Sequence, residues 1–141
     1  MTTLTRLYRF SASHRLHAPT LSAAENISLF GKCNNPFGHG HNYILEVTVA
    51  GEPDAVSGLV IPISRLDRLV EDKILRLFSN RYINLDVAQF ADLVPTTENV
   101  THVIANLLKR EWRNHMGEST VRIAKVRVEE TGRNSCETCV N

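Results

Sequence analysis

His39 and His41 stand two residues apart, among the glycines at 38 and 40 and just before an apolar run, Tyr43-Ile44-Leu45-Glu46-Val47-Thr48-Val49. On an extended backbone residues at that spacing point to the same face, so both imidazoles can converge on one point. The glycines let the chain bend tightly around it. Two histidines supply half of a metal's protein ligands, and a catalytic zinc usually takes three and keeps one position open. His14, at the end of the first strand-like segment, is the third candidate. Cys33 is close enough in sequence to serve the same site, as a ligand or as a reactive thiol. Any one of these histidines alone would read as structural or merely exposed. The pair on the face of an apolar strand, with a cysteine nearby, favours a metal.

Composition narrows the classes. The chain has 141 residues, enough for a single domain with a real core. Sixteen basic and fifteen acidic side chains leave it nearly neutral, which argues against a nucleic-acid-coating surface. No apolar run approaches a membrane span, and Arg6 and Arg9 fall where a signal peptide needs its apolar core. Three cysteines do not make a disulfide framework. A soluble cytoplasmic protein is expected, with no membrane and no nucleic-acid partner. Cys136 and Cys139 form a C-x-x-C without the helix start or second pair that would give it a function, so it reads as incidental.

The elements that must position the histidines follow from periodicity. Residues 4–13 read as a strand with Tyr8, Phe10 and Ala12 on the face that His14 continues. The stretch His14 to Asn35 reads as a loop. A second strand covers about 41–50, with Tyr43, Leu45, Val47 and Val49 on the face of His41. The apolar run Leu59 to Ile63 contains Pro62, which suits a strand edge or terminus. A helix starts at Ser64, with Asp67 as a capping-box-like partner. Ser79 to Val94 reads as irregular. A second helix starts near Thr96-Thr97-Glu98, and a last strand covers Thr120 to Glu130. The tail from about 132 reads as loosely ordered. The order implies one α+β domain over 1–141, an antiparallel sheet covered on one face by helices. Its exposed edges imply an oligomer.

The segments Phe10-Ser-Ala-Ser-His14-Arg-Leu-His17, Phe30-Gly-Lys-Cys33-Asn-Asn-Pro, Gly38-His39-Gly-His41-Asn-Tyr, Thr96-Thr-Glu98-Asn-Val and Val128-Glu-Glu130-Thr resemble, in order, the 6-pyruvoyl-tetrahydropterin synthase family. The resemblance implies the tunnelling fold: a four-stranded antiparallel sheet with two helices on one face. Subunits of that fold join into a trimeric barrel, and two trimers stack as a homohexamer. It implies Zn2+ on His14, His39 and His41, Cys33 as general base, and Glu130 as the anchor of the pterin ring with Thr97 and Glu98 beside it. A carboxylate suits that edge because it accepts two parallel hydrogen bonds from a guanidine-like group. A thiolate beside zinc has a lowered pKa and can move protons. Lys32 and Arg15, neighbours of site residues in sequence, are candidate contacts for a triphosphate. The reaction so implied is an internal redox rearrangement of 7,8-dihydroneopterin triphosphate with elimination of triphosphate, the work of a zinc-dependent lyase.

One departure bears on that chemistry. The family usually carries an Asp-His proton relay after its first helix, and the aligned positions here are Ser79 and Asn80. Neither side chain titrates near neutral pH. This opens two alternatives: related pterin side-chain chemistry (6-carboxy-tetrahydropterin or sepiapterin formation), or a catalytically silent pterin-binding paralogue. The family's strand after Glu130 is replaced here by the polar tail.

Overall fold

A computed structural model describes all 141 residues. β1 (Thr2–His14) leads through α1 (Ala23–Phe30) and a 3-10 turn at Gly31–Asn34 into β2 (His39–Gly51). The two strands pair antiparallel along their whole length, from Thr2 opposite Gly51 to His14 opposite His39. α2 (Ile63–Val70) runs through a π-helical segment, Glu71–Leu75, into α3 (Arg76–Phe78). β3 (Arg81–Tyr82), α4 (Ile83–Asp86) and a 3-10 turn at Ala88–Phe90 follow. α5 (Thr97–Met116), β4 (Arg122–Thr131) and β5 (Asn134–Cys139) complete the chain. The sheet order is β3-β1-β2-β4-β5.

Alternation along the strands explains where the core lies. Phe10 and Ala12 of β1, Tyr43, Leu45, Val47 and Val49 of β2, and Ile123, Val126 and Val128 of β4 are buried on one face. They meet Leu66, Leu69, Ile74 and Phe78 of the α2–α3 segment and Val100, Ile104 and Leu108 of α5 in a single cluster. α5 starts where it does because the Thr96 hydroxyl caps it, accepting from the Asn99 N–H at 3.2 Å. It stops at Gly117, whose φ of 66° is open to glycine. The cap places Thr97 in the first turn, buried and facing the sheet.

Several expectations are corrected. The sheet is five-stranded and mixed, because β3 pairs parallel to Ala12 and Ser13 of β1. The other four strands, β1, β2, β4 and β5, pair antiparallel. The tail is not loose: Asn134–Cys139 form β5, laddered to β4 from Thr131 to Lys125. The long loop contains α1, closed by a capping box between Ser22 and Glu25. The run Leu59 to Ile63 is not a strand; Ile61 drops into the core and α2 begins at Ile63. Asp67 caps nothing. It accepts from Arg6 Nε and Nη2, both at 3.0 Å, and from the Tyr8 hydroxyl at 2.8 Å, so it ties α2 to β1. Cys136 and Cys139 are both free, and alternation puts Cys136 on the face of Val128 and Cys139 on the other.

The Asp67 contact has a pH signature. The Arg6 guanidinium, and after it the Tyr8 hydroxyl, hold the Asp67 carboxyl below the usual carboxylate range. Its contribution is therefore full above the unfolded value of about 3.9 and is lost as pH falls through the lower folded value. Both partners are well exposed, so the ion pair is worth at most about 1 kcal/mol. Asp67→Asn is expected to lower stability by about 0.5–1 kcal/mol at pH 7 in urea titrations. The gap to wild type should close below about pH 4. An equal gap at both pH values would assign the effect to packing instead.

Candidate metal centre and pocket

The three histidines meet. His14 ends β1 directly opposite His39, which opens β2, so strand pairing brings distant residues together. His41 Nε2 lies 3.1 Å from His14 Nε2 and 3.2 Å from His39 Nε2. A tetrahedral ion with Zn–N bonds of about 2.0–2.1 Å needs its donors about 3.3–3.4 Å apart, and both of these separations are close to that spacing, with donor atoms of His14 and His39 within 4.8 Å of each other. Gly38 permits the approach. Its φ is +71°, and a Cβ there would sit 2.7 Å from the His14 carbonyl oxygen and 2.9 Å from the Tyr82 ring.

Protonation suits ligation. Burial pushes His14 and His41 below the ordinary histidine range, so the neutral imidazoles that a metal requires prevail at neutral pH. His14 Nδ1 is 2.9 Å from the Pro95 carbonyl oxygen, which can only accept, so Nδ1 carries the proton and Nε2 the free lone pair. The Tyr43 hydroxyl lies 3.3 Å from the same Nδ1.

Two further donors flank the cluster. Cys33 Sγ lies within 4.8 Å of donor nitrogens of His14 and His39, and a Glu130 oxygen within 4.8 Å of those of His14 and His41. Cys33 sits on the 3-10 turn that is strapped to the residues after His14. Leu16 N–H donates to the Cys33 carbonyl at 2.8 Å, and Asn34 Nδ2 donates back to the Leu16 carbonyl at 2.8 Å. Within the chain itself nothing lowers its thiol. Burial, and then the Glu130 carboxylate, push it up; the lowering expected beside zinc would have to come from the cation.

Glu130 continues the buried alternation of Val126 and Val128 at the end of β4. The β4–β5 register shifts between Glu129 and Thr131, a bulge that leaves Glu130 out of the ladder. Its side chain turns inward and is only 8% exposed. Oε1 lies 3.4 Å from His41 Nε2, and Oε2 accepts from the Thr97 hydroxyl at 2.6 Å. Thr97 thus stands beside Glu130, while Glu98 is exposed on the turn that presents Thr97. Arg15 and Lys32 line one groove of about 630 Å3, together with His39, Asn34 and His17. Arg15 is fixed there, donating from Nε to the Asn34 carbonyl at 3.1 Å.

Ser79 and Asn80 leave α3 at the edge of β1, and the Asn80 N–H donates to the Ser11 carbonyl at 2.6 Å. Asn80 lines cavities with Ser11, Ser13, Asn42 and Arg81; neither holds Cys33, Lys32 or Arg15. Sequence reasoning passed over Asn34, Asn84 and Asn134. Asn84 anchors the chain just after His14, accepting from Arg15 N–H and donating to the Arg15 carbonyl, both at 2.8 Å. An asparagine pattern carries no signal by itself, since the residue is common in loops.

Three imidazoles close together, with a thiol and a buried carboxylate at hand, give this α+β protein a candidate metal centre. The chain belongs to the 6-pyruvoyl tetrahydropterin synthase family, whose model matches residues 3–139. It is 44% identical over 132 residues to the human 6-pyruvoyl tetrahydrobiopterin synthase, covering 93% of this chain and 86% of that one. The Drosophila melanogaster protein of the same name is 48% identical over 97 residues, covering 69% of this chain and 58% of that one. The solved structure of the Caenorhabditis elegans 6-pyruvoyl tetrahydropterin synthase superposes with a TM-score of 0.87 at 38% identity, covering 98% of this chain and 94% of that one. No helix is long and apolar enough to cross a membrane.

Proposed function

We propose that the protein is a zinc-dependent lyase that converts 7,8-dihydroneopterin triphosphate to 6-pyruvoyl-tetrahydropterin with loss of triphosphate. The observation that carries this is the meeting of three histidine Nε2 atoms, a thiol and a buried carboxylate in one place. Zinc, when bound on His14, His39 and His41, supplies a Lewis acid for the hydroxyl oxygens of the substrate side chain. Cys33 takes the proton released there as general base. Glu130 accepts from the guanidine-like edge of the pterin ring, oriented by Thr97, with Glu98 at the rim. Arg15 and Lys32 meet the triphosphate in the groove that they share. No external redox cofactor is required.

Assembly into a hexamer, a dimer of trimers, belongs to the same reading. The outer edge of β5, and that of β1 over most of its length, have no strand partner within the chain, which supports edge-to-edge pairing between subunits. A cytoplasmic setting fits the unpaired cysteines.

Ser79 and Asn80 carry a second reading: the same pocket running related side-chain chemistry, towards 6-carboxy-tetrahydropterin or sepiapterin, or binding a pterin without turnover. Turnover of the zinc-loaded protein with 7,8-dihydroneopterin triphosphate separates these. Triphosphate release with a product of the mass of 6-pyruvoyl-tetrahydropterin is the expected result. A different pterin would select the second reading, and tight binding without release would mean a pocket that outlived its chemistry.

A further inference from the structure

Asn134 opens β5, the strand that the polar tail conceals. Its Nδ2 donates to Thr97 Oγ1 at 3.0 Å, and Thr97 Oγ1 donates to Glu130 Oε2 at 2.6 Å. A threonine hydroxyl has one proton and two lone pairs. With the Asn134 amide occupying a lone pair, the proton is directed to the carboxylate. The three residues form a chain from amide through hydroxyl to carboxylate, all donating in one direction.

We propose that Asn134 is a positioning residue for pterin binding, acting through Thr97 to fix which lone pairs of Glu130 are left for the ring. The proposal rests on the reading of Glu130 as the pterin anchor. The architecture supports it in two ways. Alternation puts Glu130 on the face of Val128 and Asn134 on the face of Cys136, and the bulge that leaves Glu130 out of the ladder is closed by the pairing of Thr131 with Asn134, so both side chains reach Thr97 at the start of α5. Thr97 is 2% exposed and Glu130 8%, so water competes poorly for either end of the bond. Oε2 is thereby committed to Thr97 while Oε1 stays towards His41. Without Asn134 the Thr97 hydroxyl regains rotational freedom, and the carboxylate loses the partner that holds its plane.

Asn134 itself is exposed, so its replacement removes no core contact. The test compares Asn134→Ala with Asn134→Asp in the full-length, zinc-loaded protein. Binding of oxidised neopterin, a fluorescent pterin, is the readout, with zinc content as a control. Asn134→Asp keeps size and shape but cannot donate. Its carboxylate would draw the Thr97 proton to itself and away from Glu130. The dissociation constant is expected to rise roughly threefold to tenfold in Asn134→Ala, the usual share of one hydrogen bond, and further in Asn134→Asp. Zinc content should not change. If Asn134→Asp binds like wild type while Asn134→Ala does not, side-chain volume is what matters and the inference is overturned. Equal binding by all three proteins overturns it as well. If the wild type, fully loaded with zinc, does not bind neopterin, the inference falls together with the reading of Glu130.

Discussion

Cys33→Ala is expected to lower turnover of 7,8-dihydroneopterin triphosphate by roughly 10²–10⁴-fold, the usual share of a general acid or base. Zinc stoichiometry should be unchanged. The expectation follows from where the thiol stands. It is near donor nitrogens of His14 and His39 but is carried by a separate turn, strapped to Leu16 by backbone bonds that the substitution leaves intact. The three imidazoles need no help from sulfur to define a point, since His41 Nε2 is already 3.1 Å from His14 Nε2 and 3.2 Å from His39 Nε2. His41→Ala is the contrasting case. It removes the nitrogen common to both short separations and should abolish stoichiometric zinc along with turnover. Activity retained in Cys33→Ala would remove the thiol from the role of base. Zinc lost in Cys33→Ala would make it a ligand, the other role open to it.

What the chain discloses in its residue order and what it conceals differ for physical reasons. β1 and β2 are legible because one face is apolar and the other polar, and because the histidines fall on the apolar alternation. α5 is legible because Val100, Ile104, Leu107 and Leu108 make a long stripe behind a threonine cap. α1 has a complete capping box at Ser22 and Glu25, yet the only residue that it buries is Asn26, so no apolar stripe announces it. Asn26 instead ties the helix down by hydrogen bonds to Ala18, Leu21 and Ser22. β5 is concealed in the same way. It is an edge strand whose inward residues, Cys136 and Thr138, are only half-buried and whose outward residues are polar. Its existence depends on the hairpin ladder to β4, a cross-strand term that composition does not register. The inward aim of Glu130 follows the alternation of Val126 and Val128, but its bond to Thr97 joins residues 33 apart and has no signal in the residue order. The candidate metal ligands could be found because their chemistry is rare; the hydrogen-bonding asparagines around them could not, because theirs is common.

Placing titratable groups at Ser79 and Asn80 is the second large effect expected. Ser79→Asp with Asn80→His should raise formation of 6-pyruvoyl-tetrahydropterin by up to roughly 10²-fold, the lower end of what a proton-transfer group contributes. The backbone admits the change. Asn80 has a φ of +58°, a conformation rare for side chains in general but one in which asparagine, aspartate and histidine are enriched. Its N–H bond to the Ser11 carbonyl is independent of the side chain. The cavities lined by Asn80 do not contain Cys33, though one is lined by His41; in the proposed hexamer a new imidazole would serve the thiol of a neighbouring subunit. The gain should accordingly vanish when the double variant is made together with Cys33→Ala. It should return when that triple variant is co-assembled with a chain carrying intact Cys33 and native Ser79 and Asn80. A rate unchanged by the double substitution, with zinc and assembly intact, would mean that this chain moves its protons by another route. That result would favour chemistry other than formation of the pyruvoyl product.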